Sequence, residues 1–149
     1  DVAAGCGVAA IAAARAGAAI AAARAGADAT ANDIDPLALR AIALNAALNG
    51  VAVAVSQDDL LDAPPADGGE PGRRVVLAGD VCYQRPMAER CIAWLRRHAA
   101  AGSEVLLADP GRSYLPTTGL IPLARYAVPT SRDLEDREIR ECTVWRVQP

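Results

Sequence analysis
A glycine turn set between an apolar strand end and a long alanine-rich stretch constrains this chain more than any other feature. The turn is Gly5-Cys6-Gly7, and Asp1-Val2-Ala3-Ala4 leads into it. Alanine, the strongest helix former, dominates residues 8–25. A strand that passes through glycines into a helix is the opening of a βαβ unit. Glycine at such a turn lets the backbone approach a ligand, and the helix start offers N–H groups to negative charge.

The order of elements continues that pattern. Residues 29–33 read as a short strand ending on Asp33. Asp35-Pro36 opens a helix, with Asp as the cap and Pro in the first turn. Asn49-Gly50 stops it. Residues 51–55 alternate Val and Ala as a strand, and residues 62–73 form a loop rich in Pro, Gly and Asp. Residues 75–78 and 105–108 are short apolar runs suited to buried parallel strands. They flank a helix over residues 86–101, with Ile92, Leu95, Met87 and Trp94 as its inward candidates and His98 read as a surface residue. Two strand candidates, 123–128 and 143–147, surround a charged segment at 132–140. Alternating strands and helices predict an α/β sheet that is mostly parallel, with ligands at the carboxyl ends of its strands.

One repeat complicates the first helix. Ile-Ala-Ala-Ala-Arg-Ala-Gly-Ala occurs at 11–18 and again at 20–27. An offset of nine residues turns an ideal helix through about 900°, which puts Ile11 and Ile20 on opposite faces. The first helix is therefore expected to break at Gly17 or to leave one copy exposed.

The chain has 149 residues, which suits one domain over 1–149. Hydrophobic residues make up 52% and charged residues 22%, so a core can form and disorder is excluded. With no Phe, that core must rest on Ala, Val, Leu and Ile. The net charge of −3 gives no basic footprint for nucleic acid. Cys6, Cys82, Cys91 and Cys142 form no C-x-x-C pair and the lone His is His98, so no metal site is expected. The cysteines read as separate thiols in a reducing compartment, here taken as the cytoplasm. Arg15 and Arg24 interrupt the Ala-rich region, so no membrane span is expected.

Asp33 lies 26 residues after Gly7, where a carboxylate can accept hydrogen bonds from ribose hydroxyls. A dinucleotide fits, with Ala10 completing G-x-G-x-x-A. S-adenosylmethionine fits as well. The Asp1 lead-in, the acidic pair Asp58-Asp59 after the third strand, and a strand–strand tail in place of a second βαβαβ half favour the latter.

The same residues carry a resemblance. Asp1-Val2-Ala3-Ala4-Gly5-Cys6-Gly7 is similar to motif I of class I methyltransferases, although that motif usually has Gly where Ala3 stands. Asn32-Asp33-Ile34-Asp35-Pro36 with Asn45 and Asn49-Gly50 resembles the ribosomal protein L11 methyltransferases. Gly79-Asp80-Val81-Cys82-Tyr83, Ala108-Asp109-Pro110-Gly111-Arg112 and the tail resemble the lysine methyltransferases of the electron-transfer flavoprotein β subunit. The resemblance implies a Rossmann-like class I sheet with an antiparallel C-terminal strand, its first strand largely missing because a segment before motif I is absent. It implies S-adenosyl-L-methionine as cofactor, held by Asp1, Ala3, Gly5, Gly7, Asp33, Ile34, Asp59 and Asp80. It implies Asp80 and Tyr83 as catalytic residues, and Asp109, Pro110 and Arg112 at a protein substrate, with the flavoprotein β subunit as the candidate. Methylation of a small molecule and a non-catalytic cofactor-binding fragment are the alternatives. A nicotinamide dehydrogenase is disfavoured by the tail, and a base methyltransferase by Gly79-Asp80-Val81-Cys82 standing where N/D-P-P-Y would be.

Overall fold
A computed structural model describes residues 1–21, 28–65, 74–129 and 139–149. The chain divides into two compact units, Asp1–Leu60 with Leu77–Gly79, and Leu61–Val76 with Asp80–Pro149.

The first unit is built around Val2, which bridges in parallel to both Asn32 and Ala78. Strands β1 (Thr30–Asn32) and β2 (Ala54–Ser56) pair in parallel, Ala31 opposite Val55. Helix α1 spans Val8–Ala21 and runs through Gly17 without a break. Ile11, in the first copy of the repeat, is buried. Most of the second copy, at 22–27, lies outside the described residues. Helix α2 (Pro36–Leu48) starts as its sequence predicts, because the Asp35 carboxylate accepts the Leu37 N–H at 2.8 Å. Its other end corrects the strand boundary. Gly50 takes φ 64°, its N–H bonds to Ala47 O, and the Val51 N–H reaches back to Ala46 O, each at 3.1 Å. This closing motif uses Val51, so β2 begins at Ala54 rather than at 51. The core is small, with Ala10, Ala31 and Ile42 buried and Ala4, Leu39 and Val53 against them.

In the second unit the strands are β3 (Val75–Gly79, its last three residues counted with the first unit), β4 (Glu104–Asp109), β5 (Leu120–Pro129) and β6 (Ile139–Val147), ordered β3-β4-β6-β5. Glu104 N–H bonds to Arg74 O and Asp80 N–H to Ala108 O, a rising register that makes β3 and β4 parallel. Strand β6 runs antiparallel to both β4 and β5, so it alone is reversed. This is the expected Rossmann-like α/β class with an antiparallel C-terminal strand. Both tail strands begin earlier than the sequence predicts, because paired backbone extends them beyond their apolar centres. The charged residues 132–138 lie outside the described residues.

Helix α3 (Arg85–Ala100) buries Ala88, Cys91, Ile92, Trp94, Leu95 and His98, while Met87 is half-buried. The spacing 88, 91, 95, 98 is a single helical stripe, and His98 falls on it. His98 is therefore buried, at 6% exposure, and not at the surface. Its ring centroid lies 4.0 Å from that of Trp94. Burial, and then the charges of Arg74 and Arg97, lower its pKa, so the ring is neutral at pH 7.

Candidate active site
Seven of the eight expected cofactor residues, Asp1, Ala3, Gly5, Gly7, Asp33, Ile34 and Asp59, belong to the first unit, and Asp80 belongs to the second. The turn is left-handed at three of them: Ala3 (φ 50°), Gly5 (φ 55°) and Gly7 (φ 81°). Gly7 is doubly required. A Cβ there would meet Ile42 Cγ1 at 2.9 Å, within the buried core. A Cβ on Gly5 would meet nothing within 4 Å, so that side of the turn is open.

Polar side chains from distant positions lock the turn. Asp33 Oδ2 accepts the Gly5 N–H at 2.9 Å, and its Oδ1 accepts the Asp35 N–H at 3.0 Å. Asp1 Oδ2 accepts the Ala10 N–H at 3.1 Å. Asn45 Nδ2 donates to Cys6 O at 2.9 Å. Buried Asn32 donates to Ser56 O at 3.1 Å and Asp58 O at 2.8 Å, tying the ends of β1 and β2 together. Sequence reasoning gave Asn32 and Asn45 no role of their own. Their place in the Asn32-Asp33-Ile34-Asp35-Pro36…Asn45 pattern was the available signal.

These residues fit a nucleoside carrying a sulfonium amino acid. A carboxylate has about four acceptor sites, so Asp33 keeps capacity for ribose hydroxyls beside its two N–H partners. Ile34 follows it with 65% exposure, an apolar surface for a base. Asp59 is exposed, as an adenine-edge acceptor must be. The first turn of α1 has N–H groups without intrahelical partners for a carboxylate.

Asp80, Tyr83, Asp109, Pro110 and Arg112 belong to the second unit. Asp80 follows β3 with φ 52°. Its carboxylate is 48% exposed and is gripped by Arg112, Nε to Oδ1 at 2.6 Å and Nη2 to Oδ2 at 2.7 Å. Asp109 Oδ1 accepts the N–H groups of Gly111 and Arg112 at 2.7 and 2.8 Å. Asp109 is 1% exposed, so it shapes the loop from beneath and does not face a substrate. Pro110 is half-buried and Tyr83 is 56% exposed. The structure thus brings Asp80, Asp109 and Arg112 together, across 32 residues of sequence at most.

Three of the four thiols, Cys82, Cys91 and Cys142, are held protonated at neutral pH. Burial, followed by the nearby Asp109 charge, pushes Cys82 up to about 12, and burial pushes Cys91 to about 12 and Cys142 upward. Among the described residues, no three His, Cys, Asp or Glu side chains converge as a metal site, and no helix is long and apolar enough to cross a membrane.

Known proteins share this fold. The fold is that of the N-methyltransferase NodS from Bradyrhizobium japonicum, with TM-score 0.51 and 11% identity over 82% of this chain and 74% of that one. The [4+2]-cyclase SpnF matches with TM-score 0.60 and 11% identity over 100% and 73%. At such identities the likeness is one of fold, and a cyclase among the matches shows that this fold hosts more than one chemistry. No family model matches the chain. The glycine turn, with a carboxylate at the next strand end, is set on a fold shared with that N-methyltransferase. In sequence the chain is similar to the electron transfer flavoprotein beta subunit lysine methyltransferases, at 34% identity in Xenopus laevis (100% of this chain, 58% of that protein) and 32% in Danio rerio (98% and 54%). The chain thus spans somewhat over half the length of the curated relatives it matches.

Proposed function
We propose that this chain is the S-adenosylmethionine-binding part of a protein-lysine N-methyltransferase whose acceptor is the electron-transfer flavoprotein β subunit. The observation that carries this reading is similarity along the whole chain to lysine methyltransferases of that name. Asp1, Ala3, Gly5, Gly7, Asp33, Ile34 and Asp59 would hold the cofactor, which supplies a methyl group on an electrophilic sulfonium. The protein's own work is to position and to handle a proton.

A lysine ammonium has no lone pair to attack with. A lysine side chain in water titrates near pH 10.4, so deprotonating it at pH 7 costs roughly 4.6 kcal/mol. Asp80 would accept an N–H of the amine, aim its lone pair and take up the proton that leaves. Tyr83, three residues further on and 56% exposed, would pack against the acceptor's alkyl chain.

Calorimetry with S-adenosylmethionine, S-adenosylhomocysteine and NAD tests the cofactor. Binding of the first two and not of NAD is expected. Labelled S-adenosylmethionine with the purified flavoprotein β subunit then tests the acceptor, read by mass spectrometry for methylated lysine. Cofactor binding without methylation of any lysine there would remove this acceptor.

A further inference from the structure
Asp80 is a non-glycine residue in left-handed backbone, and such strain persists only where surroundings enforce it. The Asp80 N–H is held by Ala108 O at 2.9 Å, and its carboxylate is held by Arg112. The Arg112 fork meets both carboxylate oxygens, at 2.6 and 2.7 Å. Arg112 is fixed in turn, because its N–H and that of Gly111 converge on Oδ1 of buried Asp109. Gly111 takes φ 83° to make this possible. The Asp109 carboxylate is itself buried, with the buried Cys82 thiol bonded to it.

Resting on the methyltransferase reading, we infer that Arg112 is a positioning residue for Asp80 and not a contact to the methyl acceptor. Two parallel N–H···O bonds stop rotation of the carboxylate about its Cβ–Cγ bond, which one point charge cannot do. Each oxygen gives one acceptor site to Arg112 and keeps about one more. An amine can therefore bind Asp80 without displacing the guanidinium, and the half-exposed carboxylate is reachable. The Nε and Nη2 edge of Arg112 faces Asp80.

The test is steady-state methylation of the flavoprotein β subunit by the intact protein, Arg112→Ala, Arg112→Lys, Asp80→Ala and Asp80→Ala/Arg112→Ala. Both Arg112 variants are expected to lose about 10- to 100-fold in kcat, with acceptor KM and cofactor Kd unchanged. The double variant is expected to be no slower than Asp80→Ala. A raised KM with intact kcat, or additive losses in the double variant, would overturn the inference. NMR gives a readout that does not need turnover. A slowly exchanging Arg112 Nε–H signal is expected in the intact protein and absent in Asp80→Asn. Its absence from the intact protein overturns the clamp. Its presence in a protein that binds cofactor yet transfers no methyl group upholds the clamp and sinks the methyltransferase reading instead.

Discussion

The turn after Val2 and the turn after Gly79 each place one non-glycine residue in left-handed backbone, Ala3 at φ 50° and Asp80 at φ 52°. They are held in different ways. The glycine turn is held by backbone groups bonded to Asp33, Asp1 and Asn45, and by Ile42 packed beneath Gly7. The Asp80 turn is held by one backbone bond, from its N–H to Ala108 O, and by an ion pair with half its carboxylate in solvent. Exposed ion pairs contribute about 0–1 kcal/mol, so stability is a poor reason for that pair to exist. The first turn is built for shape and the second for placing a charge. Damage to the first should appear as lost folding or cofactor affinity, and damage to the second as lost rate.

The largest expected effect breaks the comparison on its chemical side. Asp80→Ala should reduce methyl transfer by about 10²- to 10⁴-fold while calorimetry shows unchanged cofactor binding. Equal loss of binding would make the two turns alike and refute the division of labour.

On the other side stands Gly7→Ala. The new Cβ overlaps Ile42, and alanine is strained at φ 81°. Overpacking and left-handed strain together predict about 2–4 kcal/mol of lost stability in urea unfolding. Gly5→Ala, where only the strain applies, should cost about 1–2 kcal/mol. Equal costs would show that Ile42 relaxes away from the turn.

Much of this was legible in sequence, and what escaped shares one physical character. The glycine turn, the Asp35 cap, the Asn49-Gly50 stop and the element order rest on local rules, and the structure follows them. Strand β2 was misplaced because Val51 is drawn into the helix's closing hydrogen bonds. His98 was misread by its nearness to a helix end, when the stripe through Ala88, Cys91 and Leu95 already pointed inward. The Asn45–Cys6 and Arg112–Asp80 bonds span 39 and 32 residues, and no local pattern announces which distant side chain a backbone group will find.

Asn45→Ala tests such a bond on the shape side. It leaves the Cys6 carbonyl to water and removes a partly buried donor. About 1 kcal/mol of stability should be lost, with cofactor affinity falling several-fold and kcat at saturating cofactor unchanged. A fall in kcat at saturation would mean that the glycine turn also serves the chemistry.

The smallest effect is the most discriminating, because it makes the same backbone change in both turns. Left-handed backbone costs alanine about 1–2 kcal/mol, and glycine removes that strain. Glycine also loosens the unfolded chain, which offsets about 0.4–1 kcal/mol. Ala3→Gly should therefore stabilise by up to about 1 kcal/mol, a rise of roughly 2–4 °C in Tm, with no loss of methyl transfer. Asp80→Gly relieves the same strain, and the exposed pair it removes is worth little, so its Tm should stay level or rise slightly. Its rate should nevertheless fall as far as that of Asp80→Ala. Matched stabilities with unmatched rates would assign the strain at Asp80 to the placement of its carboxylate. A destabilised Ala3→Gly would show instead that the Ala3 methyl packs usefully in the turn, and that alanine stands there for reasons the backbone alone does not give.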